Sequence, residues 1–132
     1  MIKSTEEAIA ILKNKKLSEL EHEDAVHYLR EYPSPQGIDA LVAALSDDNY
    51  GVRWASSTAL AQLGEVALPA LLRALCQPTE DSLLREGARH VLHDNASPKV
   101  RRESQELMEA LKGPGSSVAA MEAAHKLLIQ VS

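Results

Sequence analysis

Residues 40–64 run ALVAALSDDNYGVRWASSTALAQLG. The first part carries Leu41, Val42 and Leu45 on one helical face. Asp47-Asp48-Asn49 stops that helix. A second helix from about Val52 to Leu63 ends at Gly64, the residue best suited to a left-handed stop. The unit is a helical hairpin, and it recurs. Ala40-Leu41-Val42-Ala43-Ala44-Leu45 matches Ala70-Leu71-Leu72-Arg73-Ala74-Leu75 at an offset of 30. Val52-Arg53, Ser56 and Ala59-Leu60 match Leu84-Arg85, Ala88 and Val91-Leu92 at an offset of 32. The two extra residues fall between Pro78 and Asp81, where a turn absorbs insertions.

Outward from this pair the pattern loosens but persists. Ala25 and Tyr28-Leu29 fit it before, and Ala124 and Leu127-Leu128 fit it after. The first segment, from Ser4 to about Lys16, predicts a helix with a Ser or Thr cap and Glu6 and Glu7 in its first turn. Ser18 and Glu21 have capping-box spacing, and the helix they open runs to about Glu31, with Ala25, Tyr28, Leu29 and Tyr32 inward. Pro33-Ser34-Pro35 ends it. A third helix starts near Gly37, and a fifth holds Val66, Leu68, Leu71, Leu72 and Leu75. Gln77-Pro78-Thr79, Asn95-Ala96-Ser97-Pro98 and Gly113-Pro114-Gly115 supply the later breaks. The sixth helix covers about Ser82–His93, the seventh Lys99–Leu111 and the eighth Ser117–Gln130. Eight helices pair as hairpins over approximately 4–32, 37–64, 65–94 and 98–131, in one domain spanning 1–132.

The quoted stretch, with the EVALPALLRAL that follows it, resembles the HEAT repeat in its short bacterial form. The shared features are the helix A leucines, the turn Asp47 and the Val52-Arg53 that opens helix B. The resemblance is most specific over Gly37–Asp94. It implies an all-α, right-handed α-α superhelix, with A helices outside and B helices lining a concave face, in a family that mostly binds proteins. In the last hairpin no Asp precedes the second helix. Val100-Arg101 could there mark a helix B start; the phase preferred keeps Gly113-Pro114-Gly115 as the turn inside that hairpin.

Composition narrows the chemistry. Apolar residues make up 45% of the 132, with no Phe, so Leu, Ala, Val and Ile build the core and favour helices. A net charge of −5 and the lack of a basic stripe argue against nucleic acid. Lys99, Arg101 and Arg102, and Lys13, Lys15 and Lys16, read as solvated helix ends. Cys76 is the sole cysteine, which rules out an internal disulfide and leaves a reducing, cytoplasmic setting as the default. No signal peptide opens the chain, and no stretch approaches the roughly 18 apolar residues of a membrane span. Its Met1 and full set of hairpins suggest a stand-alone protein.

Two groups of residues stand out. Asp47, Arg53 and Arg85 are expected to form a structural ladder, since a guanidinium fork suits turn backbone. With Ser56, Ala59, Leu60 and Leu63 inward, Trp54, Ser57, Thr58 and Ala61 point out. Carrying those positions through the repeats gives columns: Glu23, Trp54, Glu86 and Glu122; His27, Thr58, His90 and Lys126; Val26, Ser57, Arg89 and His125. The ordinary reading of this pattern is surface pairing at i,i+4. The alternative is a mixed-charge groove around Trp54, extended by Tyr50, in which Trp54 anchors a partner rather than packing on a neighbouring helix. The partner-binding candidates are Glu23, His27, Trp54, Thr58, Glu86, Arg89, His90, Glu122 and Lys126.

Glu86, His90, His93 and Asp94 crowd one side of the sixth helix, but one helix rarely closes a metal site, and no metal or other cofactor is expected. No nucleophile–base pair or phosphate loop appears. HEAT-like repeats do occur in bilin lyases, but this chain is shorter and no catalytic residue is assigned. The expected function is a non-catalytic scaffold for a protein or peptide, with no nucleic acid or membrane partner. Val118, Met121, Leu127, Leu128 and Val131 give the last helix much apolar surface for a cap, which leaves room for a homodimer.

Overall fold

A computed structural model describes residues 1–78, 80–113 and 117–132, with Ser117 described by its backbone alone. The masked positions take in Thr79 of one expected break and Pro114-Gly115 of another. The described residues form α1 (Thr5–Lys13), α2 (Glu19–Glu31), α3 (Pro35–Ala43), α4 (Tyr50–Leu63), α5 (Leu68–Leu75), α6 (Ser82–His93), α7 (Pro98–Glu103), α8 (Gln105–Lys112) and α9 (Ser117–Val131). The expected seventh helix is divided at Ser104, which is fully buried at φ −91° and ψ 2°. Short 3₁₀ turns follow α3 and precede α5.

The helix starts are chemical. Ser4, Ser18, Ser34, Asn49, Asp81 and Ser97 each accept a backbone N–H of the first turn through their side chains, satisfying donors that a helix cannot satisfy itself. Ser18 and Glu21 complete a reciprocal capping box. Pro35, Pro69 and Pro98 lie in the first turns of their helices, where the missing N–H costs little. Gly64 ends α4 at φ 66°.

The helices form two layers. One contains α1, α3, α5 and α9, each packed on the next; the other contains α2, α4, α6 and α8. Between them lie Leu29, Leu41, Leu45, Leu60, Leu71, Leu72, Leu92 and Leu107, all fully buried. Each such side chain contributes about 1.5–3 kcal/mol relative to exposure. Ala25, Ala59 and Ala88 are also buried, and small residues there let helices approach closely. The molecule is an all-α, HEAT-like repeat solenoid.

The last hairpin is turned around. The expectation placed the helix from Ser117 in the layer of second helices, but α9 packs on α5 and α8. The reason is the turn at Asn95. Asn95 Oδ1 accepts the Ser97 N–H (3.0 Å), Ser97 Oγ accepts the Val100 N–H, and Arg101 reaches back to the Asn95 carbonyl. The same roles are held by Asp47, Asn49, Val52 and Arg53 before α4. Val100-Arg101 therefore opens a helix in the α2/α4/α6 layer, and α9 returns to the other. The N-terminal part of α9 meets the C-terminal part of α5: Val118 and Met121 share a cleft with Ala74 and Leu75. By contrast α3 and α5 lie side by side in the same direction, with Asp39 facing Arg73 at 3.8 Å.

By length and composition Tyr50–Leu75 could cross a membrane. Its apolarity is that of core: α4 and α5, of 14 and 8 residues, occupy opposite layers on either side of the Gly64 break.

Candidate functional site

Asp47 and Arg53 are both bonded into the turn before α4. Asp47 is 8% exposed and takes a 2.8 Å bond from Lys15 Nζ of the preceding hairpin. Burial pushes its carboxyl up, but the Lys15 bond, the Asn49 N–H, and the charges of Lys15 and His22 outweigh burial, so it sits below the usual carboxylate range. Arg53 Nη1 donates to the carbonyls of Asp47 (2.7 Å) and Asp48 (3.1 Å). Ser46 Oγ donates to Asp81 Oδ2 at 2.6 Å, linking the second turn to the third. Arg85 is half-buried and lines a cleft with Asp81 and Leu84.

The outer surface of α2, α4 and α6 is different. Trp54 is 53% exposed and Tyr50 64%. Their ring centroids lie 6.5 Å apart, and the His90 ring lies 4.6 Å beyond Trp54. Tyr50 and Trp54 share α4, whereas His90 comes from α6, so the aromatic run crosses two repeats. The Arg53 guanidinium carbon lies over the Tyr50 ring, 5.5 Å from its centre. His90 Nδ1 lies 3.1 Å from Asp94 Oδ2, and its Nε2 lies 3.5 Å from Thr58 Oγ1. His93 holds the other Asp94 oxygen at 2.8 Å, and this bond keeps Asp94 below the usual range. Beneath the rings is a cleft of ≈ 80 Å³ floored by Leu45, Leu83 and Gly87, with Glu86 at its rim. A Cβ on Gly87 would stand 3.1 Å from Leu45, so glycine there keeps α6 close to its neighbour. The arrangement offers exposed rings, a shallow apolar floor and one rim carboxylate. It suits a side-chain anchor from another macromolecule.

Of the predicted columns, the structure brings together Trp54, Thr58, Glu86 and His90. Glu23 and His27 are exposed on α2, where Arg30 donates to His27 Nδ1 (2.9 Å) and to Gln62 of α4 (3.0 Å). Arg89 is exposed on α6. Glu122 and Lys126 do not continue the columns. They lie on α9 in the other layer, where Lys126 pairs with Glu106 at 3.1 Å. Val26, Ser57 and Ala61, expected to point out, are buried; Ser57 and Ala61 lie on α4, which α2 and α6 flank, and Val26 lies on α2, which packs on α4. Tyr32, expected inward, is exposed at the end of α2. Among the described residues no cluster of three His, Cys, Asp or Glu side chains is placed to hold a metal.

Sequence inspection passed over His22, which is buried with its Nε2 2.7 Å from the Asn14 carbonyl, and the pairing of Arg30 with Gln62. The second carried a signal. Lys15–Asp47, Arg30–Gln62 and Thr58–His90 are each separated by 32 positions, the offset of the repeat itself.

The sequence pattern of the family described as HEAT repeats matches residues 5–93. A HEAT repeat-containing taxis protein of the archaeon Halobacterium salinarum is 50% identical over 50 residues, 38% of this chain. The match spans 12% of that relative's length. No solved structure matches the chain significantly.

Proposed function

The chain belongs to the HEAT-repeat family, and from that premise we propose that it is a non-catalytic scaffold that engages a protein or peptide through the α2/α4/α6 face, centred on Trp54. HEAT repeats generally mediate protein–protein interaction. The observation that carries the proposal is Trp54, the sole tryptophan, more than half exposed beside an exposed Tyr50 on the α2/α4/α6 face. A large, rigid ring that contributes area without much ordering cost makes a typical interface anchor. The shallow cleft under it is too small for a substrate pocket, since ligand sites commonly enclose about 300–1,000 Å³. The taxis protein lends the repeat and not its role, because the likeness is confined to 50 residues.

Capture from the source cells tests the proposal. Trp54→Ala with Glu86→Ala should fold normally, both side chains being exposed, and should lose the partners that the wild-type chain retains. Retention of the same partners by the double variant would refute it. Val118 and Ile129, exposed on α9, favour a second reading, self-association through that helix. Sedimentation that finds only monomer at high concentration would end it.

A further inference from the structure

A separate groove of ≈ 680 Å³ lies along α1 and α2 on the side away from α3 and α4. Every residue lining it precedes Pro33. Its apolar surface comes from Met1, Ile2, Ile11, Tyr28 and Tyr32, the two tyrosine rings standing 4.8 Å apart. Glu7, Glu21, Asp24 and Glu31 also line it, with His27 and no Lys or Arg. These carboxylates are only lightly engaged by cations. Glu7 accepts the Lys3 backbone N–H, and Glu21 accepts from Ser18. Arg30 stands 3.7 Å from Glu31, but its guanidinium also serves Gln62 and His27.

We infer that this groove docks an amphipathic helix of a partner protein, with an apolar stripe between α1 and α2 and Lys or Arg on its flanks. The shape argues for a helix. Two packed antiparallel helices present a groove that a third fills with interdigitating ridges, as α3 and α4 do on their opposite side. The charge argues for basic flanks, because four carboxylates border an apolar strip without a lysine or arginine among them. A second copy of this chain fits poorly, since a net charge of −5 repels its like.

The test uses three labelled peptides of about 18 residues, long enough to form a helix on binding. One has a leucine stripe at i, i+3, i+4 and i+7 with lysine elsewhere. The second replaces lysine by glutamate, and the third scrambles the first so that no stripe remains. Fluorescence anisotropy with the full chain should show the leucine–lysine peptide binding at least about tenfold more tightly than either control. Asp24→Lys with Glu31→Lys should weaken it by about tenfold or more. Trp54→Ala should leave it unchanged, which separates this groove from the α2/α4/α6 face. Equal binding of the scrambled peptide, indifference to the charge reversal, loss on Trp54→Ala, or no binding at all would each overturn the proposal. So would a dimer of the wild-type chain that the charge reversal dissociates, since the occupant would then be a second copy.

Discussion

Gly64 has φ 66° and ψ −133°, a combination open to glycine and closed to other residues. A Cβ there would meet nothing nearer than Ser97 Cβ at 3.8 Å. Space is therefore not the problem, and the cost of Gly64→Ala is backbone strain of about 1–3 kcal/mol. A urea melt of that variant should show the loss. Asp47 is the second residue on which the fold leans. Its pKa is depressed in the folded state, so it contributes stability above the unfolded value near 3.9 that is lost as pH falls through the folded one. Asp47→Asn should cost about 1 kcal/mol at neutral pH, from loss of the charge and of the Lys15 bond, which is screened on the Lys15 side, since an amide oxygen still accepts the Asn49 N–H. Paired urea melts at neutral and acid pH should show the difference narrowing below about pH 4. Cys76 belongs at this scale too. Burial pushes its thiol up, and alkylation by iodoacetamide at neutral pH should be slower than that of a free thiol.

At the scale of the element, the turn deserves more weight than the helix. The central hairpins were legible because Leu41, Leu45, Leu71 and Leu75 keep the helical period and Val52-Arg53 repeats as Leu84-Arg85. The last hairpin was legible only in part. Gly113-Pro114-Gly115 draws the eye as punctuation, yet hydrogen bonding is what selects the layer, and Asn95, Ser97 and Arg101 repeat the roles of Asp47, Asn49 and Arg53. An amide can do the work of a carboxylate, so the turn before Val100-Arg101 carries Asn95 where the turn before Val52-Arg53 carries Asp47. The pattern of Ser57 and Val26 was hidden for another reason. Periodicity shows which side of a helix faces the core, but lateral burial depends on neighbours that the local sequence does not name. This reversed packing makes a prediction. A chain ending before Ser117 should melt earlier by circular dichroism, because α5 and α8 lose the helix that covers them. Hydrogen exchange should quicken in α5 and α8, the helices that α9 covers. Exchange that quickened in α6 instead would mean that α9 had continued the other layer.

At the scale of the whole molecule, two layers of helices leave surfaces with distinct chemistry. The α2/α4/α6 face carries the aromatic run from Tyr50 through Trp54 to His90. The α3/α5 side carries Pro33, Pro35, Ile38, Val66 and Pro69 around a cleft of ≈ 290 Å³ beside Arg73. The candidate site was legible in outline because the repeat offset aligned Trp54 with Glu86, and Thr58 with His90. Its cleft was not, because the floor joins Leu45, from the 3₁₀ turn after α3, to Leu83 and Gly87 of α6, about 40 positions away. The direct test is photo-crosslinking. A photoreactive amino acid is placed at Glu86 in one version of the chain and at Asp39, exposed on α3, in another. Each is irradiated with the captured partner. The account predicts a covalent adduct from Glu86 and none from Asp39. Adducts from Asp39 alone, or from both in equal yield, would contradict the assignment of the α2/α4/α6 face.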